Sequence, residues 1–280
     1  MSQTVVITGA SGGMGLEITR RMAASGFRVI MCCRNREKAL AVSEKIIQET
    51  GNPDIRVVEL DLSSLESVRD CATEITTIYG TIDLLMNNAG IIATGYECVH
   101  NGLEKTVLTN YVGPYLFTRK LLPVVKPGGR IVNMVSCTCR LGRIDLPDFF
   151  FKGKKGSFRR MPVYCNTKLA LMLFTVELAE RIQDRGISVN AADPGVVSTG
   201  IISMDKWFDP LTDLFFRPFI RKPSEGASSA VDLLLKEEFK AHTGCLCVNN
   251  KIKHIREFYV NHSQRKILWE ETEKIVSDFL

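Results

Sequence analysis

Tyr164 and Lys168 stand four residues apart in the stretch "YCNTKLALMLFTVELAERIQDRG", whose apolar residues recur with helical periodicity. On a helix that spacing puts both side chains on one face, so the ammonium can approach the phenol and favour its ionised form. At an effective dielectric of about 20, a charge about 4 Å away contributes about 4 kcal/mol, equivalent to roughly three pKa units. Solvent screening reduces this, but part of it brings a phenol of ordinary pKa about 10 towards neutrality, where it can move a proton. The spacing alone carries little weight. With 6 tyrosines and 36 lysines and arginines in 280 residues, about 0.8 such pairs arise by chance (6 × 36/280). Tyr115 and Arg119 form one more pair of this kind, expected only to support a helix. A second chemistry-bearing stretch lies at the start of the chain, in "TVVITGASGGMGLEITRRMAASGFRVIMCCRN". Gly9, Gly12, Gly13 and Gly15 follow directly on a run that any sheet core would accept. Glycines between a strand and the next helix let the main chain touch a pyrophosphate held on the helix N-terminus. The stretch reads as a dinucleotide cradle, or, if nothing binds, as a tight turn.

Those residues need a scaffold, and the sequence alternates accordingly. The apolar runs "VVIT", "RVIMCC", "RVVEL", "IDLLMN", "GRIVNMVS" and "ISVNAA" are separated by longer segments with helical periodicity, such as "SLESVRDCATEITTIYG". Strand and helix alternating in this way predict an α/β fold, a doubly wound parallel sheet with helices on both faces. Gly26, Gly51, Gly80 and Gly186 each close a helical segment just before a strand. No linker, repeat or low-complexity tract interrupts the pattern, so residues 1–280 are expected to form a single domain. The exception is an aromatic insertion at about 200–222, "MDKWFDPLTDLFFRPFIRKP" at its centre.

Composition narrows the classes. A chain that is 45% hydrophobic can fill a sizeable core. Nine cysteines include the C-x-C pairs Cys137/Cys139 and Cys245/Cys247 but no C-x-x-C, which argues against a zinc site or disulfide framework and for reduced thiols in a cytoplasmic protein. His100, His242, His254 and His262 show no metal spacing, so no metal is expected. Residues 1–8 lack the pattern of a secretory signal, and no apolar run reaches about 18 residues, so neither secretion nor a membrane span is expected. A net charge of +5 is too small and too evenly spread to suggest nucleic acid.

The form Thr8-Gly9-x-x-x-Gly13-x-Gly15 resembles the short-chain dehydrogenase/reductase family, and the family's other motifs occur in order. They are Asp61 after the third strand, "NNAG" at Asn87 to Gly90, Asn110 in a helix, Ser136 ending the fifth strand, "YCNTK" with Tyr164 and Lys168, and "PGVVST" from Pro194 to Thr199. The stretches "MCCRN", "YCNTKLALMLFTVELA" and "QRKILWEET" are most similar to the branch containing retinol dehydrogenases. The resemblance spans essentially the whole chain and implies a Rossmann-like sheet of about seven strands and an oxidoreductase that passes hydride between a nicotinamide and a carbonyl or alcohol carbon. It implies catalytic roles for Asn110, Ser136, Tyr164 and Lys168. Tyr164 would exchange a proton with the substrate oxygen, Ser136 would hydrogen-bond that oxygen, Lys168 would also hold the nicotinamide ribose, and Asn110 would order a water behind it. Cofactor contacts are implied for Thr8, Gly9, Ser11, Gly12, Gly13, Met14, Gly15, Arg34, Asn35, Asp61, Leu62, Asn87, Ala89, Gly90, Tyr164, Lys168, Pro194, Gly195, Val197 and Thr199. One departure concerns the end of the fifth strand, where the family usually has two small residues. Here Val135 precedes Ser136, which aligns as the catalytic serine, with Thr138 as a substitute. The N-terminal membrane anchor of many animal members has no counterpart, so a retinoid substrate does not follow.

Cofactor choice is read at the end of the second strand. An NAD enzyme of this fold carries an acid there for the adenine ribose, whereas this chain has Cys33 and Arg34. A guanidinium can bind a 2′-phosphate that an aspartate would repel, so NADP (NADPH) is expected. The segment "FFFKGKKGSFRR" at 149–160 places basic residues beside phenylalanines near Tyr164. A solvated loop, a membrane-surface contact and a site for an anionic ligand all fit it. Trp207, Phe208, Leu211, Leu214, Phe215, Phe216 and Phe219 recur at helical spacing between Asp205 and Phe219, which suggests a hinged cover over an apolar small-molecule substrate, or else a packing face. A homodimer or homotetramer is common in the family. The alternative to an enzyme is a catalytically silent NADP-binding regulator on the same fold; a regulator would be free to lose Ser136, Tyr164 or Lys168, and all three are present.

Overall fold

The computed structural model describes residues 2–150, 156, 158–197 and 221–280. The apolar runs form strands β1 (Thr4–Thr8), β2 (Arg28–Cys33), β3 (Ile55–Glu59), β4 (Ile82–Asn87), β5 (Val125–Met134) and β6 (Ser188–Asp193), joined by β7 (Cys245–Val248) and β8 (Lys251–His254). They make one sheet in the order β3-β2-β1-β4-β5-β6-β7-β8. The first seven strands are parallel and β8 is antiparallel to β7. Eight strands stand where the sequence suggested about seven. The extra one, "KIKH", returns from β7 through Asn249 and Asn250, which adopt left-handed φ values of 54° and 62°. It forms the outer edge, where lysines guard open hydrogen-bonding groups, and so it shows no apolar alternation.

Strand side chains alternate between two cores. Val6, Ile30, Leu85, Ile131 and Val189 face one; Val5, Val29, Leu84, Val132 and Ala192 face the other. The second core is closed by α1 (Gly13–Ala24), α2 (Arg36–Thr50) and the helix Ser228–Leu235. The first is closed by α3 (Leu65–Tyr79), by α4 (Lys105–Val107), which continues through a π turn at Leu108–Val112 into α5 (Gly113–Leu121), and by α7 (Arg160–Arg181), which follows the short α6 (Leu146–Phe149). Helix ends obey local rules. Asn35 Oδ1 accepts from the Lys38 amide at 2.8 Å to start α2. Gly51, at φ 70°, ends it by donating its amide to the Ile47 carbonyl at 2.8 Å. The C-terminal helix Arg265–Val276 lies on α7, so α7 is buried almost along its length.

Chain order reverses between β1 and β4, where helices diverge to opposite faces and leave a crevice at the carboxyl ends of the strands. The insertion at 200–222, including all seven apolar residues from Trp207 to Phe219, lies outside the described residues except for Arg221 and Lys222, as do Lys152, Lys154 and Lys155 of the basic segment. Among the described residues, no helix is long and apolar enough to cross a membrane, and no group of three or more acids, histidines or cysteines could hold a metal ion.

Candidate active site

Two cavities meet in the crevice. The first, of about 380 Å³, is bounded by the turn from β1 to α1 and by the ends of β2, β3 and β4. Gly9 turns at φ +65° and donates its amide to the Cys32 carbonyl at 2.8 Å. A side chain at Gly15 would collide with the Gly9 carbonyl oxygen and lie 2.6 Å from Asn88 Nδ2, so the turn closes onto the helix only because Gly15 has none. Thr8 supports it from below. Its Oγ1 accepts the amides of Asn88 and Ala89, both at 3.0 Å, and Asn88 Nδ2 donates to the Thr8 carbonyl at 2.9 Å. Ser11, Gly12, Gly13 and Met14 then open α1, whose first turn holds no acid, so its free amides and helix dipole remain available to an anion.

At the far end of this cavity Arg34 and Asn35 are exposed beside Lys38, opposite Asp61 and Leu62. Asp61 is held by Ser63, whose amide and hydroxyl donate to Oδ1 at 2.9 and 2.6 Å. The Cys33 thiol is pushed up by burial, with Ser11 pulling it back. A closed glycine turn, an uncapped helix start and a cationic rim fit a dinucleotide with its pyrophosphate on α1.

The second cavity, of about 410 Å³, holds Ser136, Tyr164 and Lys168 together, with Gly90, Pro194, Gly195 and Val197 on the cofactor side. Ser136 follows β5 and is buried; its Oγ accepts from Thr138 Oγ1 at 3.0 Å and from the Thr138 amide at 3.3 Å. With its lone pairs engaged, the Ser136 hydroxyl is left to donate. Lys168 Nζ donates to the Met134 carbonyl at 2.8 Å and lies 5.7 Å from the Tyr164 ring centre. The electrostatics depart from the expectation that the ammonium lowers the phenol. Burial pushes Tyr164 up to about 12, with the Ser136 hydroxyl opposing, and burial pushes Lys168 down to about 8. Desolvation of both groups outweighs their mutual attraction because the ammonium is turned towards a main-chain carbonyl. Asn110 sits in the π turn; its Oδ1 accepts the Ile91 amide at 2.8 Å and its Nδ2 donates to the Ile91 carbonyl at 2.9 Å and to Thr167 Oγ1 at 3.2 Å. A Cβ on Gly90 would lie 3.4 Å from Asn110 Oδ1 and 3.5 Å from Lys168 Nζ, so Asn110 holds the "NNAG" turn directly over the lysine.

Two of the expected cofactor contacts, Asn87 and Thr199, are not among the described residues that line the cavities. Asn87 is buried in the core, with Nδ2 donating to Thr118 Oγ1 and Asn133 Oδ1, both at 2.8 Å, and its neighbour Asn88 lines both cavities. A strand alternates its faces, so the asparagine that ends β4 points inward and the next one is free to reach out. Thr199 lies outside the described residues. Lys38, Cys137, Arg160, Met161 and Val196 line the cavities without having been singled out as site residues. Lys38 was visible in principle, three positions after the Asn35 cap.

Comparison with known proteins agrees with this arrangement. The short chain dehydrogenase family model matches residues 3–148 and 152–206. Retinol dehydrogenase 13 of Mus musculus is 31% identical over 281 residues, covering 98% of this chain and 84% of that protein. Retinol dehydrogenase 11 of Homo sapiens is 34% identical over 247 residues, covering 86% and 76%. Among solved structures, an uncharacterized protein of Mycobacterium paratuberculosis superposes with a TM-score of 0.79 at 26% identity, covering 98% and 93% of the two chains. A variant of actinorhodin polyketide ketoreductase with NADPH does so with a TM-score of 0.68 at 25% identity, covering 93% and 98%. The chain belongs to the short-chain dehydrogenase/reductase family, in its retinol dehydrogenase-like branch. It is an oxidoreductase of a family that binds a nicotinamide cofactor.

Proposed function

We propose that this chain is an NADPH-dependent reductase of carbonyl groups on apolar small molecules, able to run in reverse as an alcohol dehydrogenase. The observation that carries this reading is the convergence of Ser136, Tyr164 and Lys168 on a mainly apolar cavity that opens onto the glycine cradle. Gly9, Gly13 and Gly15 with the first turn of α1 would hold the pyrophosphate, Asp61 and Leu62 the adenine side, and Lys168 with Pro194, Gly195, Val197 and Thr199 the nicotinamide side. Arg34, with Asn35 and Lys38, supports NADP over NAD, because two cations at that corner suit a 2′-phosphate. The NADPH of the ketoreductase neighbour is in keeping with this choice. Bound there, the cofactor supplies a hydride to the carbonyl carbon. Tyr164, held protonated by its burial, gives its proton to the carbonyl oxygen, and Ser136 donates a hydrogen bond to the same atom as charge develops on it. Lys168, held in place beneath the Asn110-braced turn, would return a proton to Tyr164 and regain one from solvent.

The cavity wall of Met14, Ile92, Met134, Val135, Met161 and Val196 supports an apolar substrate. In this reading residues 1–280 act as one unit. Nine free thiols suit a reducing cytoplasm. The test is Tyr164→Phe against a panel of ketones, aldehydes and quinones. NADPH oxidation should fall by about a hundredfold or more while NADPH binding, followed by its fluorescence, persists; activity within about tenfold of the parent would refute the reading.

A further inference from the structure

The basic, phenylalanine-rich segment that ends in Arg159 and Arg160 plays no part in the reaction just described, yet its last residue reaches the reaction chamber. Arg160 is the first residue of α7, and Arg160, Tyr164 and Lys168 follow at intervals of four along one face of that helix. Four residues advance a helix by about 6 Å, so the three side chains step inward. Lys168 is 3% exposed at the chamber's depth, whereas Arg160 shares the lining with Met161 and Val196, which are 48% and 50% exposed at its mouth.

Arg160 is half-buried. Its Nε is buried and has no hydrogen-bond partner among the described residues, a costly state for a cationic donor. Two arginines buried more deeply have charged or carbonyl partners: Arg130 Nη1 donates to the Leu233 and Lys236 carbonyls at 3.0 and 2.7 Å, and Arg265 lies in ion-pair range of Glu177 and Glu180, although its Nη1 also lacks a well-formed hydrogen bond. The position is also electrostatically poor, since a cation at a helix N-terminus opposes the dipole. No acid in the first turn and no side-chain cap relieves it. A guanidinium with one buried, unpartnered donor therefore stands at the mouth of an apolar chamber.

We propose that the substrate is amphiphilic: its apolar body carries a carboxylate remote from the carbonyl, and Arg160 at the chamber's mouth receives that carboxylate. The proposal rests on the reading of this chamber as the carbonyl site. Charge decides between anions. Among the described lining residues the only cations are Arg160 and Lys168, and Lys168 is committed to the reacting end, so one positive charge matches a carboxylate better than a phosphate dianion. The offset of one helical turn between Arg160 and Tyr164 places the acid several bonds from the carbonyl carbon, which excludes 2-oxo acids.

The test compares 5-oxodecanoic acid with its methyl ester in steady-state kinetics with NADPH. The parent protein should favour the acid in kcat/KM by about tenfold to a hundredfold, the range of one charge-assisted hydrogen-bonded contact. Arg160→Gln should reduce that preference at least tenfold, mainly through KM, and Arg160→Lys should retain part of it. Equal use of acid and ester by the parent, or a preference that survives Arg160→Gln, overturns the inference while leaving the reductase reading intact. If neither compound is reduced, calorimetric titration of the NADP-loaded protein with decanoate and with methyl decanoate decides. Tighter binding of decanoate that Arg160→Gln abolishes upholds the anion site independently of turnover, and equal binding overturns it.

Discussion

Lys168 is where chemistry and stability conflict most directly. Burial lowers its pKa from 10.5 to about 8. Below about pH 8 the ammonium is charged in both the folded and the unfolded chain, and its desolvation weighs fully against folding. Between about pH 8 and 10.5 the folded chain has released a proton that the unfolded chain still holds, so the penalty lifts as pH rises. Lys168→Met should therefore abolish turnover yet stabilise the protein at pH 7 by about 1–3 kcal/mol, with the gain fading above the ordinary lysine range. Urea unfolding at pH 7 and at pH 10.5 checks this, and a less stable variant at pH 7 would disprove it. Arg34 offers a cleaner test of cofactor choice. Arg34→Asp removes an attraction and adds a repulsion at one position, so the ratio of kcat/KM for NADPH to that for NADH should fall by at least tenfold; an unchanged ratio would assign the phosphate to Lys38 or elsewhere.

The helix α7 carries Tyr164 and Lys168 at one end and a buried ion pair at the other. Glu177 is almost wholly buried, with Oε1 2.7 Å from Arg181 Nε and Oε2 3.2 Å from Arg265 Nε on the C-terminal helix. Trp269 from that helix stacks on Phe174 at 5.9 Å, and Arg181 lies 4.5 Å above its ring. Arg265→Met should cost about 1–3 kcal/mol by leaving Glu177 Oε2 without a cation while Oε1 keeps Arg181, and adding Glu177→Gln should recover part of the loss. Denaturant melts of the single and double variants measure this, and failure of the second change to rescue the first would rule out charge stranding as the cause. Elements of this kind show how far sequence reading reaches. The inner parallel strands β1, β2, β4, β5 and β6 were legible because their apolar runs are mostly buried on both faces. The edge strand β8 was not, because its environment asks for lysine. That Ser136, Tyr164 and Lys168 meet in one cavity was legible from order along the chain, whereas the pair Tyr115/Arg119 lies elsewhere: Arg119 Nη1 donates to the Tyr115 hydroxyl at 3.2 Å and pairs with Glu273. The distinction between Asn87 and Asn88, and the inward reach of Arg160, depend on which way a side chain faces at the end of a strand or the start of a helix, which spacing alone does not determine.

For the molecule as a whole, the cradle joins parts distant in sequence, so ligand binding should be read out in global stability. NADPH at about a hundred times its Kd should stabilise the protein by about 2.7 kcal/mol, raising Tm by several degrees, and NADH at the same concentration should do less. Equal shifts from the two would refute the NADP assignment. The reversal of strand order between β1 and β4 has a further consequence for how the protein is made. Synthesis proceeds from the amino end, so β1, β2 and β3 can associate early, and the glycine motif is complete by residue 15. The turn it specifies is nonetheless held by the amides of Asn88 and Ala89 on Thr8, and β1 gains its second neighbour only when β4 arrives. A growing chain therefore carries the whole glycine motif long before the turn it specifies is held in place. Until "NNAG" has left the ribosome, the nascent protein presents one bare edge of β1, a strand buried at all five positions in the finished fold, for chaperones to cover.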